Sequence, residues 1–236
     1  EDVVFPGNFE DCDLTLALRF TPYSQTHLSF TLSLIEPGNY NRLTMNYGTN
    51  AQEGFYGFGT QYNYLNLKGR KLPIWCQEQG HGRGLEPLTG VLNLTQGNSA
   101  GDWSTTYTCV PFYLTNERRS LFLENREYLA FDFTEDDQIE ISIYASEIRG
   151  RILYGDTLLD IVETYTEYSG RMDPLPQWTQ TGSIVRLYGG SDAVQAAVDE
   201  LKEADSPLAA VWIEDWCGLR TTPFGKQIWW NWVGDE

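Results

Sequence analysis

Tyr154-Gly155-Asp156-Thr157-Leu158-Leu159-Asp160-Ile161-Val162-Glu163-Thr164-Tyr165-Thr166-Glu167-Tyr168-Ser169-Gly170-Arg171 divides this chain. Gly155-Asp156-Thr157 offers an N-cap, a side-chain oxygen for a backbone N–H left unpaired at a helix start. Leu158, Leu159, Val162 and Tyr165 then repeat at helical spacing, and Gly170 closes the helix. Pro174-Leu175-Pro176 follows as a stiff linker. The chain is therefore read as two domains, residues 1–173 and 174–236.

Upstream of the helix the pattern is β. Leu14–Phe20 and His27–Leu34 alternate or run apolar for the length of a strand. Pro37-Gly38-Asn39 supplies turn chemistry. Further strands are expected at Leu43–Tyr47, Thr105–Leu114, Ser120–Leu123, Ala130–Thr134 and Gln138–Tyr144. Many short strands separated by turns predict an antiparallel β-sandwich. Downstream of the linker the period alternates. Ser183–Leu187 reads as a strand, and Gly189-Gly190-Ser191 turns the chain into a helix capped by Ser191. Its stripe is Val194, Ala197, Val198 and Leu201. Pro207 breaks it, and Leu208–Ile213 is the next strand. This is one β-α-β unit, the building block of parallel sheets and barrels. A single unit cannot cover both faces of its own sheet, so further strands are expected elsewhere.

The composition excludes several classes of partner. The chain has 33 acidic and 16 basic residues, a net charge of −17, which disfavours nucleic acid and anionic membrane surfaces. No apolar run approaches the roughly 18 residues needed to span a bilayer. The four cysteines, Cys12, Cys76, Cys109 and Cys217, allow three full pairings, and no C-x-x-C or Cys/His cluster points to a metal. A chain opening at Glu1 without an initiator Met reads as processed. The sequon Asn93-Leu94-Thr95 lies in a Gly-, Asn- and Thr-rich stretch read as a loop able to carry a glycan. Both features point to a secreted or lumenal protein.

Aromatics make up 14% of the residues, with 8 Trp and 14 Tyr. Five of the Trp lie near the end, in Val211-Trp212-Ile213-Glu214-Asp215-Trp216-Cys217-Gly218-Leu219-Arg220 and Phe224-Gly225-Lys226-Gln227-Ile228-Trp229-Trp230-Asn231-Trp232. Carboxylates and aromatic faces at the C-terminal end of a strand suit a sugar ring, with its apolar faces and rim of hydroxyls. Glu214 and Asp215, as neighbours on a strand, point to opposite faces. Gly80-His81-Gly82-Arg83-Gly84 is not a phosphate loop, since it lacks the strand-to-helix context and the Lys-Ser/Thr pair. His27 and His81 stand beside no nucleophile motif.

Three segments resemble glycoside hydrolase family 31, the retaining α-glycosidases. The first is Gly54-Phe55-Tyr56-Gly57-Phe58-Gly59-Thr60-Gln61-Tyr62 with Lys68-Gly69-Arg70, where the family usually has Glu in place of Thr60. The second is Pro111-Phe112-Tyr113-Leu114-Thr115-Asn116 with Leu121-Phe122-Leu123-Glu124-Asn125. The third runs from Tyr154 through Arg171 to Pro176-Gln177-Trp178. Gln77-Glu78-Gln79-Gly80-His81-Gly82-Arg83-Gly84 and the terminal segment are most similar to the sulfoquinovosidase-like subgroup.

The resemblance implies a galactose-mutarotase-like sandwich followed by the first β-α-β unit of a TIM barrel, incomplete in this chain. It implies no cofactor and no metal, and as partners a carbohydrate and the remainder of the barrel. Both catalytic Asp residues of the family would lie on later strands, so no catalytic residue is assigned here. Substrate-binding positions fall on Tyr188, Glu214 or Asp215, Trp216, Gln227 and Trp230, with Gln77, Glu78 and Gln79 at the rim. Gln227 stands where the subgroup has its sulfonate-clamping Arg. A neutral amide cannot reproduce that charge-assisted grip, which implies a neutral α-linked hexoside. A second class of function stays open, a non-catalytic, lectin-like carbohydrate-binding protein on a glycosidase scaffold.

Overall fold

The computed structural model describes the chain except for residues 1–2, 9–14, 36–39, 61–62, 78–82, 97–99, 214–217, 224 and 229–236; at 3–8, 219, 222 and 226–228 it describes the backbone alone. The chain separates into two compact units, Glu1–Arg171 and Met172–Glu236.

The first unit is built mainly from antiparallel strands. They are β1 (Val3–Asn8), β2 (Thr15–Pro22), β3 (His27–Leu34), β4 (Leu43–Gly48), β5 (Phe55–Gly59), β6 (Lys71–Ile74), β7 (Cys109–Thr115), β8 (Ser120–Leu123), β9 (Leu129–Asp132), β10 (Gln138–Ile143) and β11 (Glu147–Leu153). Two helices accompany them, α1 (Leu88–Thr95) and α2 (Leu158–Ser169). Seven strands form one sheet in the order β1-β2-β3-β11-β8-β7-β5, and four form a second in the order β4-β10-β9-β6.

Side-chain alternation decides which face is buried. Along β10, Ile139, Ile141 and Ile143 are fully buried while Gln138, Glu140 and Ser142 face outward. One apolar cluster draws on both sheets, with Phe30, Tyr113, Leu121, Leu123 and Ile148 from the larger and Leu43, Leu72 and Phe131 from the smaller. Aromatic rings occupy its centre. Phe55 and Phe133 stack at 4.4 Å, and Phe58 packs on Tyr113 at 5.5 Å and on Phe131 at 5.0 Å. Such pairs add about 0.5–1.5 kcal/mol each beyond the area they bury. Burial pushes the Tyr113 phenol far above its ordinary pKa, so it stays neutral.

β5 departs from regular geometry. Gly57 and Gly59 have φ of 131° and 85°, and Phe58 between them has φ of 69°. The register with β7 shifts at this point. The distortion turns the Phe58 ring into the core.

Helix α2 begins at the expected cap and ends at the expected glycine, but Leu158, Leu159 and Val162 of the expected stripe are exposed and Ile161 takes the buried face instead. Thr157 and Asp160 form a capping box, Thr157 Oγ1 accepting from the Asp160 amide at 3.2 Å and Asp160 Oδ2 from the Thr157 amide at 2.8 Å. Gly170 closes it in a conformation with φ of 92°. Ile161 is fully buried, and Tyr165 stacks on Phe112 at 4.1 Å.

The second unit contains β12 (Ser183–Leu187), α3 (Ser191–Glu203), β13 (Leu208–Ile213), β14 (Leu219–Thr222) and β15 (Gly225–Ile228). β12 and β13 pair in parallel, and β14 and β15 form an antiparallel hairpin. The expected cap of α3 is corrected: Gly190, with φ of 86°, holds the N-cap position and Ser191 is already helical, with no side-chain cap bond. Val194, Ala197, Val198 and Leu201 are half-buried and no residue of α3 is fully buried.

The expected strand from Thr105 starts later, at Cys109. Asp102 Oδ1 accepts from the Ser104 amide at 2.7 Å and from Ser104 Oγ at 2.6 Å, and Thr105 Oγ1 accepts from the Asp102 amide at 2.8 Å. These local bonds hold the segment as a turn.

Candidate functional site

In the second unit, Leu187 lies opposite Ile213, so β12 and β13 end at the same level. Tyr188 is the first residue past β12 and is 69% exposed. Gly189 and Gly190, both at positive φ, turn the chain from there into α3. Glu214, Asp215 and Trp216 follow β13 in the sequence. They and Trp230 lie outside the described residues. Gln227 belongs to β15, opposite Arg220. Of the residues expected to gather at these strand ends, the structure thus places Tyr188.

In the first unit, Gln77 follows Cys76, which forms an isolated parallel bridge with Thr106; the Gln77 amide donates to the Thr106 carbonyl at 2.9 Å. Glu78 and Gln79 lie outside the described residues. Beside Gln77, the Trp75 ring is 58% exposed and meets Tyr128 edge-on at 6.0 Å. These two rings border two grooves. One, of about 380 Å³, continues past Pro111, Asn125, Arg126 and Glu127. The other, of about 280 Å³, continues past Gln77, Asp102, Ser104 and Thr105. An exposed ring with amide, hydroxyl and carboxylate groups on either side has the chemistry of a sugar platform: an apolar face for C–H groups and a polar rim for hydroxyls. The sequence reading missed Trp75 because alternation in Leu72-Pro73-Ile74-Trp75 does not say which face is covered. The adjoining polar run from Gln77 was the available signal.

A third cleft, of about 350 Å³, is mostly apolar, lined by Leu18, Phe20, Met45, Tyr47 and Leu121 with Glu53 and Arg119. Glu53 is buried and ion-paired with Arg119, and Thr49 Oγ1 donates to it at 2.7 Å. Burial alone would raise the Glu53 pKa. Hydrogen bonds from Arg119, Thr49 and Thr115, with the Arg119 charge, outweigh it and hold the carboxyl below its ordinary range.

The same outcome recurs elsewhere. Glu124 is lowered against its burial by Tyr168 and Arg151, Asp132 by Thr134 and Lys71, and Glu127 by backbone N–H groups and Asn125. A glycosidase's general acid needs the opposite, a carboxyl held protonated near neutral pH. None of the shifted carboxyls among the described residues fits that role.

Asn93 sits on α1 rather than on a loop. Its amide donates to the Gly101 carbonyl at 3.0 Å and its Oδ1 accepts from the Ala100 and Gly101 amides. The side chain is thus occupied by the backbone of Ala100 and Gly101. Arg83 is likewise a strut, donating to the Thr105 carbonyl and to Asn63 Oδ1. Thr60 shares a 2.7 Å hydroxyl contact with Thr106.

No family model matches the chain. It is 31% identical over 234 residues to a sulfoquinovosidase of Agrobacterium fabrum (strain C58), covering 98% of this chain and 33% of the relative. It is 29% identical over 194 residues to the sulfoquinovosidase of Escherichia coli (strain K12), covering 82% of this chain and 29% of the relative. A solved family 31 sulfoquinovosidase from E. rectale, bound to an aza-sugar inhibitor, superposes with a TM-score of 0.84 at 27% identity, over 96% of this chain and 35% of that one.

The chain is related to glycoside hydrolase family 31.

It spans about a third of the length of the curated family 31 relatives it matches. Further relatives include an α-xylosidase and an α-glucosidase, 21% and 25% identical. A cycloalternan-forming enzyme from Listeria monocytogenes shares the fold, with a TM-score of 0.71 at 15% identity, covering 94% of this chain and 27% of that one. Two of the segments that carried the family resemblance have structural roles here. The Gly57–Gly59 segment is the β5 distortion, and the Thr157 passage is the capping box of α2. Among the described residues no helix is long and apolar enough to cross a membrane.

Proposed function

We propose that this chain is the β-sandwich and opening β-α-β unit of a retaining α-glycosidase whose barrel is completed by further sequence or by a second chain. Its substrate is a neutral α-linked hexoside. The observation that carries the reading is the 31% identity to a sulfoquinovosidase across 98% of this chain. The half-buried stripe of α3 and the exposure of Ile184 and Trp212 on β12 and β13 support a sheet with further strands. Glu214 or Asp215 hydrogen-bonds sugar hydroxyls at the end of β13, and Trp216, Trp230 and Tyr188 wall the ring. Gln227 replaces the guanidinium that would hold a sulfonate.

The test compares 4-nitrophenyl α-glucoside with the sulfoquinovoside, using the protein that includes the complete barrel. The expected result is kcat/KM at least about tenfold higher on the neutral substrate, the equivalent of one lost charge-assisted bond. Gln227→Arg should narrow that gap. Preferred turnover of the sulfoquinovoside overturns the substrate reading, and no turnover of any α-glycoside overturns the enzymatic one.

A second reading, carbohydrate binding without hydrolysis, is favoured by the exposed Trp75 and Tyr128 beside two grooves. Titration of the 236-residue chain with neutral oligosaccharides, with Trp75→Ala as control, separates the two readings. Binding that Trp75→Ala abolishes, in a protein that hydrolyses no α-glycoside when its barrel is complete, establishes the second.

A further inference from the structure

Cys76 lies just beyond β6, an edge strand of the four-stranded sheet, and Cys109 opens β7 of the seven-stranded sheet. They are 33 residues apart in sequence, yet their Sγ atoms are 3.2 Å apart. The Cys109 amide also points at Cys76 Sγ, at 3.4 Å. The backbone already fixes this approach. Cys76 bridges Thr106, and the Gln77 amide donates to the Thr106 carbonyl at 2.9 Å.

Neither thiol is explained by packing. Cys76 is exposed and Cys109 half-buried, and the central core cluster contains neither. A metal site does not explain them either, because no group of three or more His, Cys, Asp or Glu residues forms one among the described residues. Cys109 is not held as a standing thiolate. Burial and the adjacent Cys76 thiol push its pKa up to about 11, whereas reactive cysteines are held as thiolates by positive surroundings.

We propose that Cys76 and Cys109 are a disulfide-forming pair that cross-links the two sheets of the first unit. The oxidant is a small-molecule disulfide such as oxidised glutathione. The exposed Cys76 thiolate attacks one of its sulfurs, forming a mixed disulfide and releasing one reduced thiol. Cys109, after losing its proton, attacks the Cys76 sulfur and releases the second. Two protein thiols and one external disulfide become one protein disulfide and two external thiols.

The bond anchors the residue between Trp75 and Gln77, fixing the ridge between the two grooves and the start of the polar rim. A protein using the bond is suited to an oxidising compartment.

The test equilibrates the purified 236-residue chain with oxidised glutathione, blocks remaining thiols with N-ethylmaleimide, and maps peptides without reduction. The expected product is a peptide pair joined through Cys76 and Cys109, two hydrogens lighter than the sum of the free peptides. It should be lost on reduction, with a fall in Tm of about 5–10 °C. Cys76→Ser should leave Cys109 alkylated, and Cys109→Ser should leave Cys76 alkylated. Alkylation of both residues in the oxidised wild-type chain, or linkage of either to Cys12 or Cys217, overturns the proposal. The wild-type map decides it even if a serine variant does not fold.

Discussion

The guanidinium of Arg151, on β11, lies 3.6 Å from the centre of the Tyr168 ring, on α2. The same guanidinium forms an ion pair with Glu124 at 2.9 Å and contacts His27 Nε2 at 3.1 Å, and the Tyr168 hydroxyl donates to Glu124. One cation thus ties the last turn of the helix to three strands or strand ends. Arg151→Ala should destabilise the chain by about 2–4 kcal/mol, through loss of the stacking contact and a partly buried carboxylate left unpaired. Arg151→Lys should recover part of this, since an ammonium keeps the charge but not the planar stack. Urea denaturation measures both, and a loss under about 0.5 kcal/mol for Arg151→Ala contradicts the assignment.

Acid should weaken the fold in two stages. Burial and the Arg151 charge hold the His27 pKa below the ordinary imidazole value, against a smaller opposing effect of Glu124. The unfolded chain therefore takes up a proton that the folded chain resists, and stability begins to fall as pH drops below about 6.5. Glu53, Glu124, Glu127 and Asp132 are also lowered in the fold, so their contribution is present at neutral pH and lost below the ordinary carboxylate range. Tm should fall by roughly 10 °C between pH 7 and pH 3.5. A flat profile in calorimetry would show that these groups titrate alike in both states.

Gly59→Ala should cost about 3 kcal/mol or more. Its φ is 85°, and a Cβ there would run into the Thr108 carbonyl oxygen and come within 2.9 Å of the Val110 amide nitrogen. Both obstacles are backbone, so neither can rotate away. Circular dichroism melting of the variant tests this. A Tm within 2 °C of wild type, equivalent to under about 1 kcal/mol, sinks the claim that β5 requires this conformation.

Helix α2 should show two separable losses. Thr157→Ala removes one half of the capping box and should cost about 1 kcal/mol. Ile161→Ala empties a fully buried site and should cost about 2–5 kcal/mol. If the two variants prove equally damaging, docking of the helix rests on its cap more than on its packed face.

Helix α2 was legible because its cap, apolar spacing and closing glycine are all local signals. β12 and β13 were legible for a similar reason, each a short apolar run bounded by Gly or Pro. β5 was not read as a strand, because Gly57 and Gly59 look like turn residues until β7 is seen to demand their geometry. β11 was hidden by Gly150, which lacks a side chain because the Phe30 ring and Leu123 press against that position. Helix α1 carries no side-chain cap, and Gly90 and Thr89 weaken its local preference. At the site, motif positions could be aligned along the sequence, but exposure could not. Trp75 and the core aromatic Phe58 are both rings in short apolar runs, and only tertiary packing makes one a surface platform and the other a keystone.

Among the described residues, β12 and β13 pair only with each other. Beyond that pairing no further strand adds to either among the described residues, and apolar side chains such as Ile184 and Trp212 stand exposed on them. Such an edge is sticky toward any extended chain, its own copies included. During folding, addition of a further strand to the second unit would compete with self-stacking. The yield of native protein should therefore depend on how soon further strands reach this edge.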